Sequence, residues 1–238
     1  GALPDDTFLS NSDELGEVVE TGETPDLPAP DQAQPMPPLA DVQAALRWAG
    51  RYDGDTDGRD GPDTQAAIWA QMAADRSSTD PGTAMAALIA ERAEWQKESG
   101  LTELKDDQTG LSVLAPMDLL QFDRNDPVVS IYGPKDGSGV ALILFSKPGG
   151  QQELIDISGL ITTLAWVPQP QRQIEDGHMV LDGANADHIS RAEGWVRDGR
   201  AEGFVLIWPA ADPEGQRRMV DEIAQSLRRT GPAANDDE

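Results

Sequence analysis

The residues best suited to bind a ligand or a metal ion lie in one acidic, glycine-rich stretch, RYDGDTDGRDGPDT, at residues 51–64. Asp53, Asp55 and Asp57 alternate and a glycine follows them, as in the first half of a calcium loop. Thr64 stands at the twelfth position, where a calcium loop needs a bidentate Glu. The pattern favours a solvated acidic turn, and we predict no metal site, with these three aspartates as the weaker calcium alternative.

Residue types that could support catalysis are scarce in this chain. It contains no cysteine and two histidines, His178 and His188, so a thiol nucleophile is excluded and a serine triad or zinc site would need one of the two. An Asp182-Gly183 turn could bring the histidines together, with Asp182 or Asp187 beside them. Neither HExxH nor GxSxG occurs. We predict a noncatalytic protein without a cofactor, and keep a hydrolase as the alternative.

Charge and composition limit the possible partners. The chain has 43 acidic and 18 basic residues and a formal net charge of -25, which repels nucleic-acid backbones and anionic bilayers. No apolar run reaches the length of a membrane span. We therefore predict neither nucleic acid nor a membrane span. The absence of cysteine suits an exported protein, although an acidic surface also suits a saline habitat.

Three helices are predicted at residues 39–99, with the acidic stretch joining the first two. Apolar residues recur at helical spacing from Val42 to Ala49 and Gly50 ends that helix, whereas Pro62 and Pro81 begin the next two. Residues 1–38 hold nine acidic residues, seven prolines and no Lys or Arg, a composition typical of a linker or tail. Within it, a turn at residues 12–19 with a shared apolar face could dock on a folded part.

Residues 100–230 have the pattern of strands with two helices, and residues 231–238 form a polar tail. Strands are predicted at residues 111–114, 128–132, 140–145, 173–181, 188–197 and 203–208, the third being apolar on both faces and so central. Helices are predicted at 153–166 and after Asp212-Pro213, and hairpin turns at Asp182-Gly183 and Asp198-Gly199. This order predicts an α+β fold, a small helical domain followed by an antiparallel sheet flanked by helices.

Two family resemblances add expectations to this outline. A VQxxL helix leading into YxGxxDGxxGPxT, at residues 42–64, resembles the three-helix peptidoglycan-binding domain of bacterial cell-wall enzymes. The sequence departs from that family at Asp60 and Gln71, where the family has aromatic residues. Residues 100–230 resemble, in their order of elements, the PsbP and Mog family of α/β/α sandwiches. The features that carry this second resemblance are Thr109-Gly110-Leu111 before a strand and Pro116, an apolar central strand, and GFVLIWPA before a helix.

The first resemblance implies binding of peptidoglycan, and the second implies a binding or assembly module without an active site. Arg51, Tyr52 and Arg59 are the candidate ligand contacts, because an aromatic face and two cations suit sugars and peptide carboxylates. The alternative is that Tyr52 belongs to the core and both arginines are surface charges. We therefore expect a periplasmic or otherwise exported envelope protein that binds peptidoglycan or an envelope protein. The remaining alternative is a cell-wall hydrolase or the accessory part of a longer envelope enzyme.

Overall fold

The computed structural model describes residues 33–164, 167, 168 and 170–237. These residues form an α+β fold with five α-helices and two antiparallel sheets. The predicted fold class is thereby confirmed. The turn predicted at residues 12–19 lies outside the described residues.

The first three helices make a compact helical unit, residues 39–99. They are α1 Leu39–Trp48, α2 Pro62–Ala74 and α3 Pro81–Glu98. The starts of α2 and α3 follow from the sequence, since proline occupies the first turn of each and the Asp80 side chain accepts a hydrogen bond from Thr83 N at 2.9 Å. Val42, Leu46, Ile68 and Met85 are buried between the helices, so the apolar spacing in the sequence becomes a shared core.

The strands divide into a small and a large antiparallel sheet. The small sheet has the order β1-β2-β10, with β1 Leu101–Asp106, β2 Leu111–Pro116 and β10 Arg228–Arg229. The large sheet has the order β3-β4-β5-β9-β8-β7-β6. Its strands are β3 Leu120–Asn125, β4 Val129–Pro134, β5 Ala141–Pro148, β6 Pro170–Glu175, β7 His178–Ala184, β8 His188–Arg197 and β9 Arg200–Pro209.

Two helices cover opposite faces of the large sheet. Helix α4, Gln151–Thr163, packs through Leu154, Ile157 and Ile161 on one face. Helix α5, Pro213–Ser226, packs through Met219 and Ile223 on the other, together with the small sheet. Strand β5 is buried on both faces and lies between β4 and β9, as its continuous apolar sequence predicts.

Three parts of the large sheet and its surroundings differ from the predicted elements. The strand predicted at residues 173–181 is two strands, because Gly177, with φ 74°, makes a tight turn that pairs Glu175 with His178. The predicted turn at Asp182-Gly183 lies inside β7 instead, and the β7–β8 connection follows Ala184. The exposed strands β1 and β3 were not predicted, since their polar residues hide the apolar alternation.

The residues after Thr230, which composition predicts as a polar tail, run along the β1–β2 hairpin. Thr230 N and Gly231 N donate to Gly110 O at 2.9 and 3.3 Å. Ala233 is buried, and Asp236 forms an ion pair with Arg200. These contacts join the chain end to the large sheet.

The helical unit docks on α5 through charged and aromatic side chains. Arg92 of α3 forms a two-pronged ion pair with Glu222 of α5, at 2.8 and 2.9 Å, and Glu222 is 2% exposed. Beside this pair, the Arg218 guanidinium lies 4.1 Å from the ring centre of Trp48 and 5.9 Å from that of Trp95. The contact therefore combines a buried ion pair with cation–π stacking on two tryptophans.

No helix among the described residues combines the length and the apolar character needed to cross a bilayer.

The buried ion pair predicts a large effect of a single charge removal. Glu222→Gln keeps the shape of the side chain but leaves Arg92 without its counter-ion, so we expect the free energy of unfolding to fall by about 2–3 kcal/mol. Urea denaturation measures this loss. The matched control is Glu91→Gln, at an exposed position of α3, which should change stability by less than about 0.5 kcal/mol. Equal stability of the two variants would contradict the assigned role of Glu222.

Candidate functional site

The acidic stretch is held in one conformation by a buried glutamine, Gln43 of α1. Its Nε2 donates to Arg59 O at 3.0 Å, to Thr64 Oγ1 at 3.1 Å and to Asp57 Oδ1 at 3.4 Å. Its Oε1 accepts from Gly58 N at 2.8 Å. Gln43 is fully buried, so these bonds fix the second half of the loop against α1 and the start of α2.

The Asp57 carboxylate completes this network by accepting hydrogen bonds from within the loop and from Gln43. The backbone N–H of Arg59 donates to its carboxylate at 2.9 Å and, with the Gln43 amide, lowers the pKa of Asp57. Because this pKa is lowered on folding, the interaction stabilises the loop above the ordinary pKa of an aspartate and is lost as the pH falls through the folded value. In the described part of the chain, no three or more His, Cys, Asp or Glu side chains are grouped to hold a metal ion.

The first half of the loop is held by Arg47 and by Tyr52. Arg47 Nη1 donates to the carbonyls of Asp53 and Gly54 at 2.9 and 2.7 Å. The Tyr52 hydroxyl donates to Asp55 O at 2.9 Å, and its ring lies so close over Gly54 that a Cβ there would approach the hydroxyl to 2.5 Å. The glycine is required here for close packing, since its φ is not in the left-handed region.

This half of the loop forms one wall of a cleft of about 460 Å³, which we name the junction cleft. The opposite wall comes from β8 and the floor from α5. The cleft thus lies where the helical unit meets the large sheet. Its lining residues are Arg47, Tyr52, Asp53, Gly54, Asp55, Thr56, Arg191, Glu193, Trp195, Gln216, Arg217, Val220, Asp221, Ala224 and Gln225.

Strand β8 supplies its wall by simple alternation. Arg191, Glu193 and Trp195 share one face, whereas Ala192 and Gly194 between them lie on the face covered by α4. The α4 face is apolar and closely packed, so a Cβ on Gly194 would come within 2.9 Å of two side chains. The other face of β8, which carries Arg191, Glu193 and Trp195, lines the cleft.

Neighbouring strands fix the positions of these three side chains. Arg191 forms an ion pair with Asp182 of β7. Glu193 Oε1 lies 2.9 Å from His178 Nε2. Trp195 stacks on the His178 ring at 5.8 Å and carries the Arg197 guanidinium 4.4 Å from its ring centre. Arg191 and Glu193 are therefore held by polar bonds, and Trp195 is held by ring stacking.

The structure separates the three predicted ligand contacts. Tyr52 is half-buried and lines the junction cleft. Arg51 and Arg59 are exposed and do not line it; Arg51 Nε contacts Gln71 Oε1 at 3.3 Å, and Arg59 contributes its backbone to the Gln43 network. One aromatic contact is thus placed in a cleft, and the two cations are on the open surface.

The two histidines of the hydrolase alternative do not meet, which corrects that expectation. In the antiparallel pairing of β7 with β8, His178 is opposite Trp195, whereas His188 is at the other end of β8, opposite Pro209. The reason is the misplaced turn: with Asp182-Gly183 inside β7, the two strands are long enough to separate the residues that begin each of them. Asp182 pairs with Arg191, not with a histidine.

Sequence reasoning missed the β8 and α5 residues of the cleft. The available signal was the polar alternation of HISRAEGWVR, in which Arg191, Glu193 and Trp195 alternate with Ala192 and Gly194. That pattern predicts a strand with one polar face. It does not say that the helical unit will close over this face.

Comparisons with solved structures find distant similarities to this chain. No protein-family model and no curated protein matches the chain. A solved structure from Bacteroides thetaiotaomicron VPI-5482 is similar at 7% identity and a TM-score of 0.35, over 53% of this chain and 47% of that one. This chain therefore spans about half the length of the Bacteroides protein.

A second similar structure is the cyanobacterial PsbP protein CyanoP from Synechocystis sp. PCC 6803. It is similar at 13% identity and a TM-score of 0.39, over 54% of this chain and 92% of that one. It comes from the family that the order of elements in residues 100–230 resembles. Since both TM-scores lie below 0.5, neither similarity assigns a function to this chain.

The Gln43 network predicts that one amide holds the second half of the loop in place. Gln43→Ala removes the amide that contacts Asp57, Gly58, Arg59 and Thr64, so we expect the free energy of unfolding to fall by about 1–3 kcal/mol and the Gly58 amide to lose its protection from hydrogen exchange. The control is Gln65→Ala, which removes a single bond of an exposed helical amide to Asp60. Unchanged exchange of the Gly58 amide in Gln43→Ala would show that the loop is held by other contacts.

Proposed function

We propose that this chain is a noncatalytic protein of the bacterial cell envelope, periplasmic or otherwise exported, and that it binds peptidoglycan in the junction cleft. One observation carries the proposal: the loop that bears the peptidoglycan-binding-like motif is held by Gln43, Arg47 and Tyr52, and its first half forms a wall of a 460 Å³ cleft. A cleft of this size is within the usual range for a ligand of several sugar or amino-acid units.

The chemistry of the cleft walls supports a ligand that is partly polar and partly apolar. Tyr52, Trp195 and Val220 offer carbon surface, and Thr56 and Gln216 offer hydrogen-bonding groups beside them. Sugars and peptides are bound by this combination of aromatic and polar groups. In the proposed site Tyr52 remains a contact, while Arg51 and Arg59 are peripheral.

A second candidate is a cell-wall hydrolase, favoured by a single contact. His178 Nε2 lies 2.9 Å from Glu193 Oε1, and Glu193 lines the junction cleft. A histidine held by a carboxylate can act as a general base. Release of soluble fragments from labelled sacculi by the wild-type chain, abolished in His178→Ala, would favour this candidate. A third possibility, an envelope protein as ligand, would use the same walls.

Cosedimentation with purified sacculi tests the proposal, and two tryptophan substitutions locate the site. Gln225→Trp places an indole in the junction cleft, whereas Gln65→Trp places one beside Arg59 and Asp60. Both glutamines are exposed, lie on helices and donate one hydrogen bond to an aspartate, at 2.6 and 2.8 Å. They are therefore matched controls for each other.

We expect Gln225→Trp to weaken binding about tenfold or more, because it fills the cleft, and Gln65→Trp to leave binding within about twofold of the wild type. Loss of binding in Gln65→Trp alone would move the site to the exposed arginine side of the loop. No cosedimentation of the wild type at any salt concentration would reject peptidoglycan as the ligand. Salt must be varied, because a charge of -25 repels anionic wall polymers at low ionic strength.

A further inference from the structure

The arginines of the junction cleft are already committed to other groups. Arg47 donates to Asp221 through Nε and Nη2 and to two loop carbonyls through Nη1. Arg217 donates to Glu214 and to the carbonyls of residues 47 and 48. Arg191 donates to Asp182 through Nε and Nη2. These cations hold the cleft together, so they are poor partners for an anionic ligand.

The acidic side chains of the cleft are less fully used. Among the described residues, no cation forms an ion pair with Asp53 or Asp55, and neither carboxylate accepts a hydrogen bond from the described chain. Glu193 contacts His178 through Oε1 alone. After the internal pairs are formed, the cleft therefore keeps an excess of negative charge.

Carbon surface lies next to this charge. The Tyr52 ring packs against Gly54 beside Asp53 and Asp55, and Val220 and Trp195 line the other sides. The Trp195 indole already has two neighbours, the stacked His178 ring and the Arg197 guanidinium. Trp195 is thus an apolar wall, and Tyr52 is the aromatic residue that precedes Asp53 in the loop and lines the same cleft.

We propose that the group recognised in the junction cleft is an alkylammonium, carried by a lysine-like diamino acid residue of a peptide. This inference rests on the proposed function and names the chemical group of the ligand that the cleft recognises. Carboxylates attract the ammonium, an aromatic ring adds cation–π attraction, and the apolar walls accept the methylene chain. A compact ammonium suits separate carboxylates better than a planar guanidinium, which prefers one bidentate partner.

Calorimetric titration of the full chain with two short peptides tests this inference. The probes are N-acetyl-Ala-Lys-Ala-amide and the same peptide acetylated on the lysine Nζ. We expect the free lysine peptide to bind and acetylation to weaken it about tenfold or more, since acetylation removes the charge. Equal affinity of the two peptides would overturn the inference.

A matched pair of double variants separates recognition from general charge attraction. Asp53→Asn with Asp55→Asn changes the cleft, whereas Glu91→Gln with Glu94→Gln removes the same charge from exposed positions of α3. We expect about a tenfold loss of lysine-peptide affinity in the first pair and less than twofold in the second, with thermal midpoints confirming that both are folded. Equal losses in the two pairs would reduce the effect to the field of an acidic protein and overturn the inference.

Further measurements identify the source of the amine. They also show whether the ammonium inference or the proposed function has failed. A glucosamine tetramer that binds more tightly than the lysine peptide would overturn the peptide assignment in favour of an amino sugar. Wild-type chain that cosediments with sacculi but does not distinguish the two peptides keeps the proposed function and overturns the ammonium inference. Chain that distinguishes the peptides but does not bind sacculi supports the ammonium site and rejects peptidoglycan as its source.

Discussion

The architecture depends on the joint between the helical unit and α5. Helix α5 is apolar where it packs on the sheets and charged where it meets the helical unit, so one helix serves as core and as docking surface. In the joint, Arg218 lies over Trp48; its Nε has the Glu214 carboxylate at 3.5 Å, whereas the buried Trp48 Nε1 has no hydrogen-bond partner among the described residues. Stacking of the guanidinium on the indole must offset that cost, which makes the joint sensitive to geometry. The two-pronged Arg92–Glu222 pair supplies this geometry.

The junction cleft is a consequence of this joint. Its loop wall is carried by the helical unit, its opposite wall by β8 and its floor by α5, so no single element contains the site. Arg47 links the loop wall to the floor, because it bonds to the loop carbonyls and to Asp221 of α5 at once. A ligand that contacts both walls would therefore be favoured by the docked arrangement, and binding and docking would stabilise each other.

The elements that could be predicted from the sequence are those whose signals are local. Proline at a first turn and the Asp80 cap mark helices wherever they occur, and the continuous apolar run of β5 marks a central strand. Strands β1 and β3 could not be recognised, because an exposed edge strand has little apolar alternation. The β6–β7 hairpin was missed because Asp182-Gly183 and Asp176-Gly177 are equally good turn signals, and the choice between them depends on pairing with β8.

The site was less predictable than the fold, for a reason that concerns charge. The chain has 18 basic and 43 acidic residues, so cationic side chains are scarce. Several of them form ion pairs or hydrogen bonds within the fold. Arg47, Arg92 and Arg217 all act in the docking joint, which leaves carboxylates as the unpaired groups of the cleft. The sequence favoured Arg51 and Arg59 as ligand contacts because arginine suits carboxylates, but the fold leaves both on the open surface outside the cleft. Ligand preference in such a protein follows from the charges that remain after folding, and here those charges are negative.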